Sequence, residues 1–299
     1  MNHSKLTIVA VYGHNSGESA IPAIVKSMTE LPGSRGLLIS LEKPDNLPNE
    51  ITWKHVHHLN YKRYSFFIMH MLYAYIETDY CLIVQDDGWV LNGKNFKPEY
   101  YDYDYIGPPS HCAIKINENS EVQSIYLNFD WTIPGVINTE HLQVIQNGGF
   151  SLRSKRFLEA CNKEGLCHYA IESIPLNNKE SGDKKNWAAI WNEDVHLSGL
   201  FKSRLEKAGY KYAPLEVAIN FGIEYLNPNL HPDANNALAS ILGIHGSSRK
   251  LVKLDLVEIL TASVNTGVEH NVINFLKEIN SNNFIESMVS WISNKMKWS

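Results

Sequence analysis

The stretch Tyr80-Cys81-Leu82-Ile83-Val84-Gln85-Asp86-Asp87-Gly88 decides the fold. Its first five residues are a continuous apolar run, and a strand buried on both faces belongs in the middle of a parallel sheet. The run stops abruptly at two adjacent carboxylates. Such a pair is costly straight after a buried strand unless it is paired or holds a metal. Asp86 and Asp87 are therefore either ligands for a hard cation or the polar tip of a turn or helix start, and the first reading is the stronger.

On the N-terminal side, Leu6 to Tyr12 is apolar and β-branched and then meets Gly13-His14-Asn15-Ser16-Gly17, a strand running into a loop. A helical pattern follows, with Ile21, Ile24, Val25 and Met28 on one face and Pro22 in the first turn, where a helix tolerates it. Gly36–Leu41 and Thr52–Val56 read as further strands, and Tyr61 to Thr78 as a long apolar helix. Strand and helix thus alternate through the first third of the chain, the pattern of a doubly wound sheet. Ligands in such sheets sit at the carboxyl ends of the strands, and both Gly13–Gly17 and Gln85–Gly88 lie at such ends.

On the C-terminal side the pattern is less regular. An aromatic and acidic run, Tyr100 to Tyr105, precedes Ile106-Gly107-Pro108-Pro109. Asn147-Gly148-Gly149-Phe150 opens into Ser151 and a helix through Phe157 to Cys161. Asn177 to Asn186 is a polar loop, followed by Trp187 and Trp191. Glu193-Asp194 starts a helix through Leu205 that Gly209 stops. Ala213 to Glu224 reads as strand and turn, and Gly243-Ile244-His245-Gly246 as a tight turn. Amphipathic helices are expected at Leu254–Ser263, Val268–Ile279 and Phe284–Met296, the last with an apolar face suited first to the main domain, second to a second copy in a homodimer and third, with Lys295 and Lys297 nearby, to a membrane surface. The expected architecture is an α/β domain over 1–250, with a doubly wound mixed sheet, and a helical tail over 251–299.

The 299 residues suffice for one large α/β domain with a small appendage. A net charge of −5 argues against a dedicated nucleic-acid binder. No apolar run approaches the roughly 20 residues that span a bilayer. Leu6 to Val11 is too short for a signal-peptide core, and no small-residue cleavage site follows it. Cys81, Cys112, Cys161 and Cys167 are scattered without a CxxC pair and read as reduced thiols, so the expected location is cytoplasmic.

Three other places carry chemical possibilities. Asp102-Tyr103-Asp104 matches a DxD pattern literally, but no strand precedes it, and Asp104 is expected to anchor the turn into Tyr105. His245, flanked by glycines that let the backbone approach a ligand, is a ligand or an ordinary surface or core histidine. Glu193-Asp194 supplies either a general base or a helix cap.

Taken in order, these pieces resemble a family of GT-A glycosyltransferases known mainly as a domain of unknown function. The shared pattern reads here as Gln85-Asp86-Asp87, Tyr103-Asp104-Tyr105-Ile106-Gly107-Pro108-Pro109, Asn147-Gly148-Gly149-Phe150-Ser151-Leu152-Arg153, Glu193-Asp194 and Gly243-Ile244-His245, with Ala218 to Glu224 before the histidine. The likeness runs from about residue 5 to 250. It implies a hexosyl- or pentosyltransferase that uses a nucleotide diphosphate sugar, a saccharide or glycoconjugate acceptor, and Mn²⁺ or Mg²⁺. Those ions favour hard oxygen ligands, and Mn²⁺ also accepts an imidazole.

By position, the resemblance makes Asp87 and His245 the metal ligands. Asp86, Gly148 and Gly149 fall beside the donor, the glycines letting the sugar pass close to the backbone. Val11, Tyr12, Gly13 and Asn15 would hold base and ribose, and Arg63 is counted on the donor side. Asp194, with Glu193 beside it, matches the acidic pair that supplies the base in inverting enzymes. Many members carry a tryptophan soon after the late histidine, where this chain has Gly246-Ser247-Ser248.

Three other functions are weighed. A nucleotidyltransferase of this fold carries a basic glycine-rich loop after its first strand, and His14-Asn15-Ser16-Gly17 has no Lys or Arg. A glycosyltransferase acting on modified DNA bases would need a basic groove, for which Lys62-Arg63, Arg153 to Arg156, Lys184-Lys185 and Arg249-Lys250-Lys253 are the candidates. The net charge of −5 disfavours it. A non-catalytic sugar-binding protein would not need Asp87, His245 and Asp194 together.

Overall fold

In a computed structural model, residues 2–119, 121–126, 142–167, 176–177, 192–224, 230 and 240–246 are described. The expected tail 251–299, the boundary at 250, most of the polar loop after Asn177, Trp187, Trp191, Lys184-Lys185 and Arg249-Lys250-Lys253 lie outside them. The described strands are β1 (Leu6–Tyr12), β2 (Arg35–Ser40), β3 (Ile51–His55), β4 (Tyr80–Ile83), β5 (Gly88–Val90), β6 (Tyr105–Ile106), β7 (Pro109–Ile116), β8 (Val122–Tyr126), β9 (Leu142–Gln146), β10 (Ser151–Ser154), β11 (Leu176–Asn177), β12 (Gly222–Ile223) and β13 (Gly243–His245). The helices are α1 (Ile21–Glu30), α2 (Tyr61–His70), α3 (Lys155–Leu158), α4 (Ala160–Lys163), α5 (Glu193–Val195), α6 (Lys202–Lys207) and α7 (Leu215–Phe221).

The main sheet has the order β3-β2-β1-β4-β10-β6. β1 to β4 are mutually parallel, with Val9 opposite both Leu37 and Ile83, and β10 is antiparallel to both of its neighbours. This is the mixed α/β sheet that the strand–helix alternation calls for. Every residue of β1 is buried. Its alternate residues serve two cores, as the two-residue period of a strand requires. Leu6, Ile8, Ala10 and Tyr12 pack with Ile24 of α1 and with Phe150 and Phe221. Val9 and Val11 pack with Phe67 and Ile68 of α2.

Several sequence expectations change in detail. α1 begins with Pro22 in its first turn, but Val25 is exposed, and Ala23, Ile24 and Ser27 form the buried face. The long helix from Tyr61 stops at His70, and Leu72–Tyr75 is a tighter 3₁₀ turn. That tightening keeps Leu72 and Ile76 in the core while the chain turns to enter β4. After Gly149 a short strand, β10, precedes the expected helical stretch through Phe157 to Cys161, which begins only at Lys155. The last residue of β10, Ser154, caps α3 by accepting the Phe157 N–H at 3.1 Å. Leu215–Phe221 is a helix rather than a strand, started by Pro214 and burying Ala218 and Phe221. Gly243–His245 is a strand rather than a tight turn, paired with β12 on one side and β5 on the other.

The irregular middle holds a second sheet, β11-β8-β7-β9, which sequence periodicity did not reveal. The chain from Glu193 packs on it. α5 is followed by a π-helical turn, His196–Leu200, where Gly199 lies so close to Ile114 and Ile145 that a side chain there would collide with both. Asp104 anchors its turn as expected, accepting from Ser154 Oγ at 2.6 Å, Arg156 Nε at 2.7 Å and Lys211 N at 2.8 Å. The four cysteines are free thiols. Among the described residues no helix is long and apolar enough to cross a membrane.

Candidate functional site

The strands after β1 are added outward on one side, β2 then β3, whereas β4 joins β1 on the other side. The crevice beyond the carboxyl ends of two such neighbouring strands is where open α/β sheets bind ligands. The β1–β4 pairing extends to Val84, whose N–H reaches Val9 O at 2.9 Å. The chain then reverses within four residues: Gln85 N donates to Gly88 O at 2.9 Å and Gly88 N to Gln85 O at 3.1 Å. Asp86 and Asp87 occupy the tip.

The two carboxylates have different surroundings. The Tyr12 hydroxyl donates to Asp86 Oδ1 at 2.8 Å and accepts from Asp86 N at 3.0 Å, tying the tip to the end of β1. Burial and the Asp86 charge hold the Tyr12 phenol far above its ordinary range. Asp87 is directed toward β13, because His245 is the register partner of Gly88 and Gly246 N donates to Asp87 O at 2.7 Å. His245 Nε2 lies 3.6 Å from Asp87 Oδ1 and 3.3 Å from Gln85 Oε1.

Asn147-Gly148-Gly149 closes the opposite wall. Asn147 Oδ1 accepts from Gly149 N at 2.6 Å, and Asn147 Nδ2 donates to Glu224 Oε1 at 3.0 Å. Asp194 accepts from Gly148 N at 3.2 Å and from Val195 N at 2.8 Å. The glycines are needed for close approach. A Cβ on Gly148 would strike the Glu193 carboxylate, and one on Gly149 would strike His245 Nε2. The room they leave is filled by the site's own side chains.

Glu193 pairs at 3.0 Å with Arg153, a fully buried guanidinium that also donates to Ser151 Oγ at 3.0 Å and sits 5.0 Å from the Tyr105 ring centroid. Glu193 is therefore not the helix cap; Asn192 holds that position. Asp194, buried beside this pair, has its carboxyl pushed up to about 7, chiefly by burial and then by the Glu193 charge. Burial, followed by the charges of Asp194 and Asp87, raises Glu224 well above the usual carboxylate range.

These walls enclose a cleft of about 540 Å³. Of the sequence-derived candidates, Val11, Tyr12, Gly13, Asp86, Asp87, Gly149, Glu193, Asp194 and His245 line it. Asn15 does not. It builds the loop instead, its Oδ1 accepting from Gly17 N at 2.8 Å. Arg63 does not either; it is exposed on α2 with Nη1 3.5 Å from His58 O. Gly148 is absent from the lining, since Glu193 occupies the space next to it.

The lining also includes His58, Leu59, Asn60, Tyr64 and Ser65, which the sequence did not single out. Asn60 is the N-cap of α2, a legible signal, since it precedes an apolar helix and accepts from Arg63 N at 3.0 Å. Tyr64 is half-buried, and its hydroxyl accepts from Gln85 Nε2 at 3.2 Å. Among the described residues the lining contains four carboxylates and no Lys or Arg. No group of three His, Cys, Asp or Glu side chains there forms a ready-made metal cage.

Fold and cleft together define an α/β protein with an acidic crevice at the reversal point of its sheet. The chain belongs to the family described as "Protein of unknown function (DUF5672)", whose model matches residues 50–245. That match takes in Asp86, Asp87, the Asn147–Gly149 turn, Asp194 and His245, and it leaves out β1 and the Gly13–Gly17 loop. No curated protein matches the chain. Two solved structures are similar at low identity. One is a glycosyltransferase involved in the glycosylation of the major capsid of PBCV-1, 14% identical, covering 83% of this chain and 96% of its own, with a TM-score of 0.38. The other is the galactosyltransferase LgtC in complex with donor and acceptor sugar analogs, 13% identical, covering 81% and 87%, with a TM-score of 0.40.

Proposed function

We propose that the chain is a metal-dependent glycosyltransferase that moves a sugar, with inversion, from a nucleotide diphosphate donor to a hydroxyl of a saccharide or glycoconjugate. The observation that carries this reading is the charge of the cleft. Asp86, Asp87, Glu193 and Asp194 line it without a Lys or Arg among the described residues. A diphosphate enters such a crevice only with a cation to offset the repulsion. The donor set fits that need in part: a carboxylate oxygen of Asp87, in the turn before β5, and an imidazole nitrogen of His245, on β13, stand 3.6 Å apart. Asp87 and His245 would be the residues to hold Mn²⁺ or Mg²⁺ there. When bound, the ion offsets the charge that grows on the diphosphate as the glycosidic bond breaks.

The chain's own groups supply the rest. Tyr12 and Asp86 close the nucleotide end of the cleft. Asp194 takes the proton of the acceptor hydroxyl, and a carboxyl titrating near neutrality suits a general base. Glu193 is committed to Arg153 and holds the Asp194 segment against Gly148. The same charge pattern disfavours a nucleic-acid acceptor. Arg153 is buried on Glu193, and Arg156 pairs with Asp104, so neither belongs to a basic groove.

The test is thermal shift with UDP-, GDP- and dTDP-sugars, and a CMP-sugar as the monophosphate control, in Mn²⁺ and in EDTA. A ligand that binds only the folded state raises its stability. One diphosphate donor is expected to raise Tm in Mn²⁺ and not in EDTA, and Asp87→Ala is expected to lose the effect. Equal donor binding in EDTA overturns the metal role.

A further inference from the structure

One wall of the cleft comes from α2. Tyr61, Tyr64 and Ser65 are spaced three and four residues apart, so they share a helix face, and all three line the cleft. Tyr61 is 53% exposed and stands at the mouth. Of the large apolar side chains exposed among the described residues, Tyr61 borders the cleft, whereas Val25, Phe66 and Met71 do not. Its ring offers a flat apolar surface at the edge of an otherwise polar site.

Deeper in the same wall, two polar groups lack the partners that their positions usually supply. A serine inside a helix commonly bonds the carbonyl four residues back. Ser65 Oγ makes no such bond; it is buried and has no hydrogen-bond partner among the described residues. An asparagine at an N-cap normally accepts a backbone N–H of the first turn, as Asn60 does for α2. Asn192, the N-cap of α5, also lines the cleft, but its side chain makes no capping bond, and its Oδ1 is buried without a partner among the described residues. Buried polar atoms left unpaired are costly, and ligand hydroxyls that pair them remove the cost.

Charge and position narrow the ligand. Asp86, Asp87, Glu193 and Asp194 line the cleft with no Lys or Arg among the described residues, so an acidic sugar would meet like charge. An uncharged sugar meets every condition: one face of its ring is apolar C–H, and its edge carries hydroxyls that both donate and accept. α2 packs against α5, and Asn192 stands two residues before Asp194, the proposed base. We propose that this wall is the acceptor subsite, taking an uncharged sugar whose apolar ring face packs on Tyr61 and whose hydroxyls bond Ser65 and Asn192. The inference rests on the proposed function only in calling that sugar the acceptor.

Saturation-transfer difference NMR on the full chain tests it. The probes are methyl β-glycosides of glucose, galactose and N-acetylglucosamine, with the methyl β-glucuronide as charged control, each alone and with Mg²⁺ and UDP or GDP. At least one neutral glycoside is expected to be saturated, most strongly at ring C–H protons, and the glucuronide is not. Tyr61→Ala is expected to weaken its binding roughly 3- to 10-fold, while Tyr61→Phe, which keeps the ring, retains it. Ser65→Ala and Asn192→Ala are each expected to weaken it by a similar factor, roughly 3- to 10-fold. Without ligand, Ser65→Ala is expected to keep or raise Tm, because it removes an unpaired buried atom. A lowered Tm shows that the hydroxyl is bonded within the protein and overturns its assignment. No saturation of any neutral glycoside, or equal saturation of the glucuronide, overturns the subsite. Weaker nucleotide-sugar affinity in Tyr61→Ala with unchanged glycoside binding gives the wall to the donor's sugar and overturns the acceptor assignment. Glycoside binding in a chain whose Tm no nucleotide donor raises strikes the transfer reading and leaves the sugar subsite standing. Circular dichroism of each variant establishes that it is folded.

Discussion

Asp194→Asn separates the base from a structural acid by two effects of opposite sign. Asp194 is buried, and its carboxyl titrates at about 7 in the folded chain against an ordinary value of 3.8. A raised folded value means that the fold prefers the protonated form. Stability is therefore full below pH 4 and falls as pH rises through the folded value. Between pH 5 and pH 8 the unfolded carboxylate is ionised throughout, while the folded one is forced to ionise, which costs about 3 kcal/mol. Asparagine cannot ionise, so the variant lacks this loss. Its amide must face one of the two backbone N–H groups that Asp194 accepts from, Gly148 or Val195. A protonated carboxyl places a donor against the same groups, so the two proteins are expected to be close in stability below pH 4 and about 1.5 kcal/mol apart at pH 5.

Urea unfolding in EDTA at half-unit steps from pH 5 to 8 is the assay, read as the difference between the two curves. The variant is expected to become more stable than the wild type by about 2 to 4 kcal/mol at pH 8. Turnover is expected to fall by roughly 10² to 10⁴, with nucleotide affinity little changed. Parallel stability curves would show that Asp194 is ionised already at pH 5, and they refute the reasoning. Near-normal turnover in the variant removes the base assignment by itself.

Other perturbations follow from named contacts. Gly149→Ala places a Cβ on His245 Nε2 and Gln85 Oε1, so it is expected to weaken Mn²⁺ and donor binding at least tenfold, read by titration calorimetry, while circular dichroism stays unchanged. Arg153→Met leaves the Glu193 carboxylate buried without its partner and is expected to lower stability by about 3 to 5 kcal/mol, measured by urea unfolding. The double variant Arg153→Met with Glu193→Gln should recover much of that loss, and no recovery would mean that packing, not charge, dominates. Asn15→Ala and Arg63→Ala are expected to leave donor affinity within about twofold, since neither residue lines the cleft; the same calorimetry checks it.

The sheet was legible where the chemistry is one-dimensional. β1 and β4 are unbroken apolar runs, and each ends at a residue type that a buried strand does not carry onward, so the cleft's location could be read from Gly13 and Asp86 alone. The rest depends on pairing, which no local pattern encodes. β13 has three residues, Gly243 to His245, too few to display a period; only its pairing with β12 and β5 makes it a strand, and the second brings His245 to Asp87. Glu224 acquires its place in the same way, through β12. Asn15 and Arg63 were drawn into the site by their chemistry and their nearness in sequence to lining residues. The structure spends one on a loop hydrogen bond and leaves the other in solvent. Arg153 stood within a recognisable motif, but a guanidinium with no exposed surface shows itself only once the core is assembled around it.

The pairing of β5 with β13 has a consequence for biogenesis. Gly88 and His245 stand 157 residues apart in sequence (245 minus 88), so the corner where Asp87 meets His245 closes only after the chain has been made through residue 245. Closing so long a loop is entropically cheap per added residue, since each doubling of length costs only about 0.6 kcal/mol. The delay is thus a matter of order rather than of final stability. A nascent chain that already holds β1, β2, β3 and β4 in register presents the acidic tip without its histidine. Under the proposed function, donor capture is therefore deferred until translation has carried the chain past residue 245.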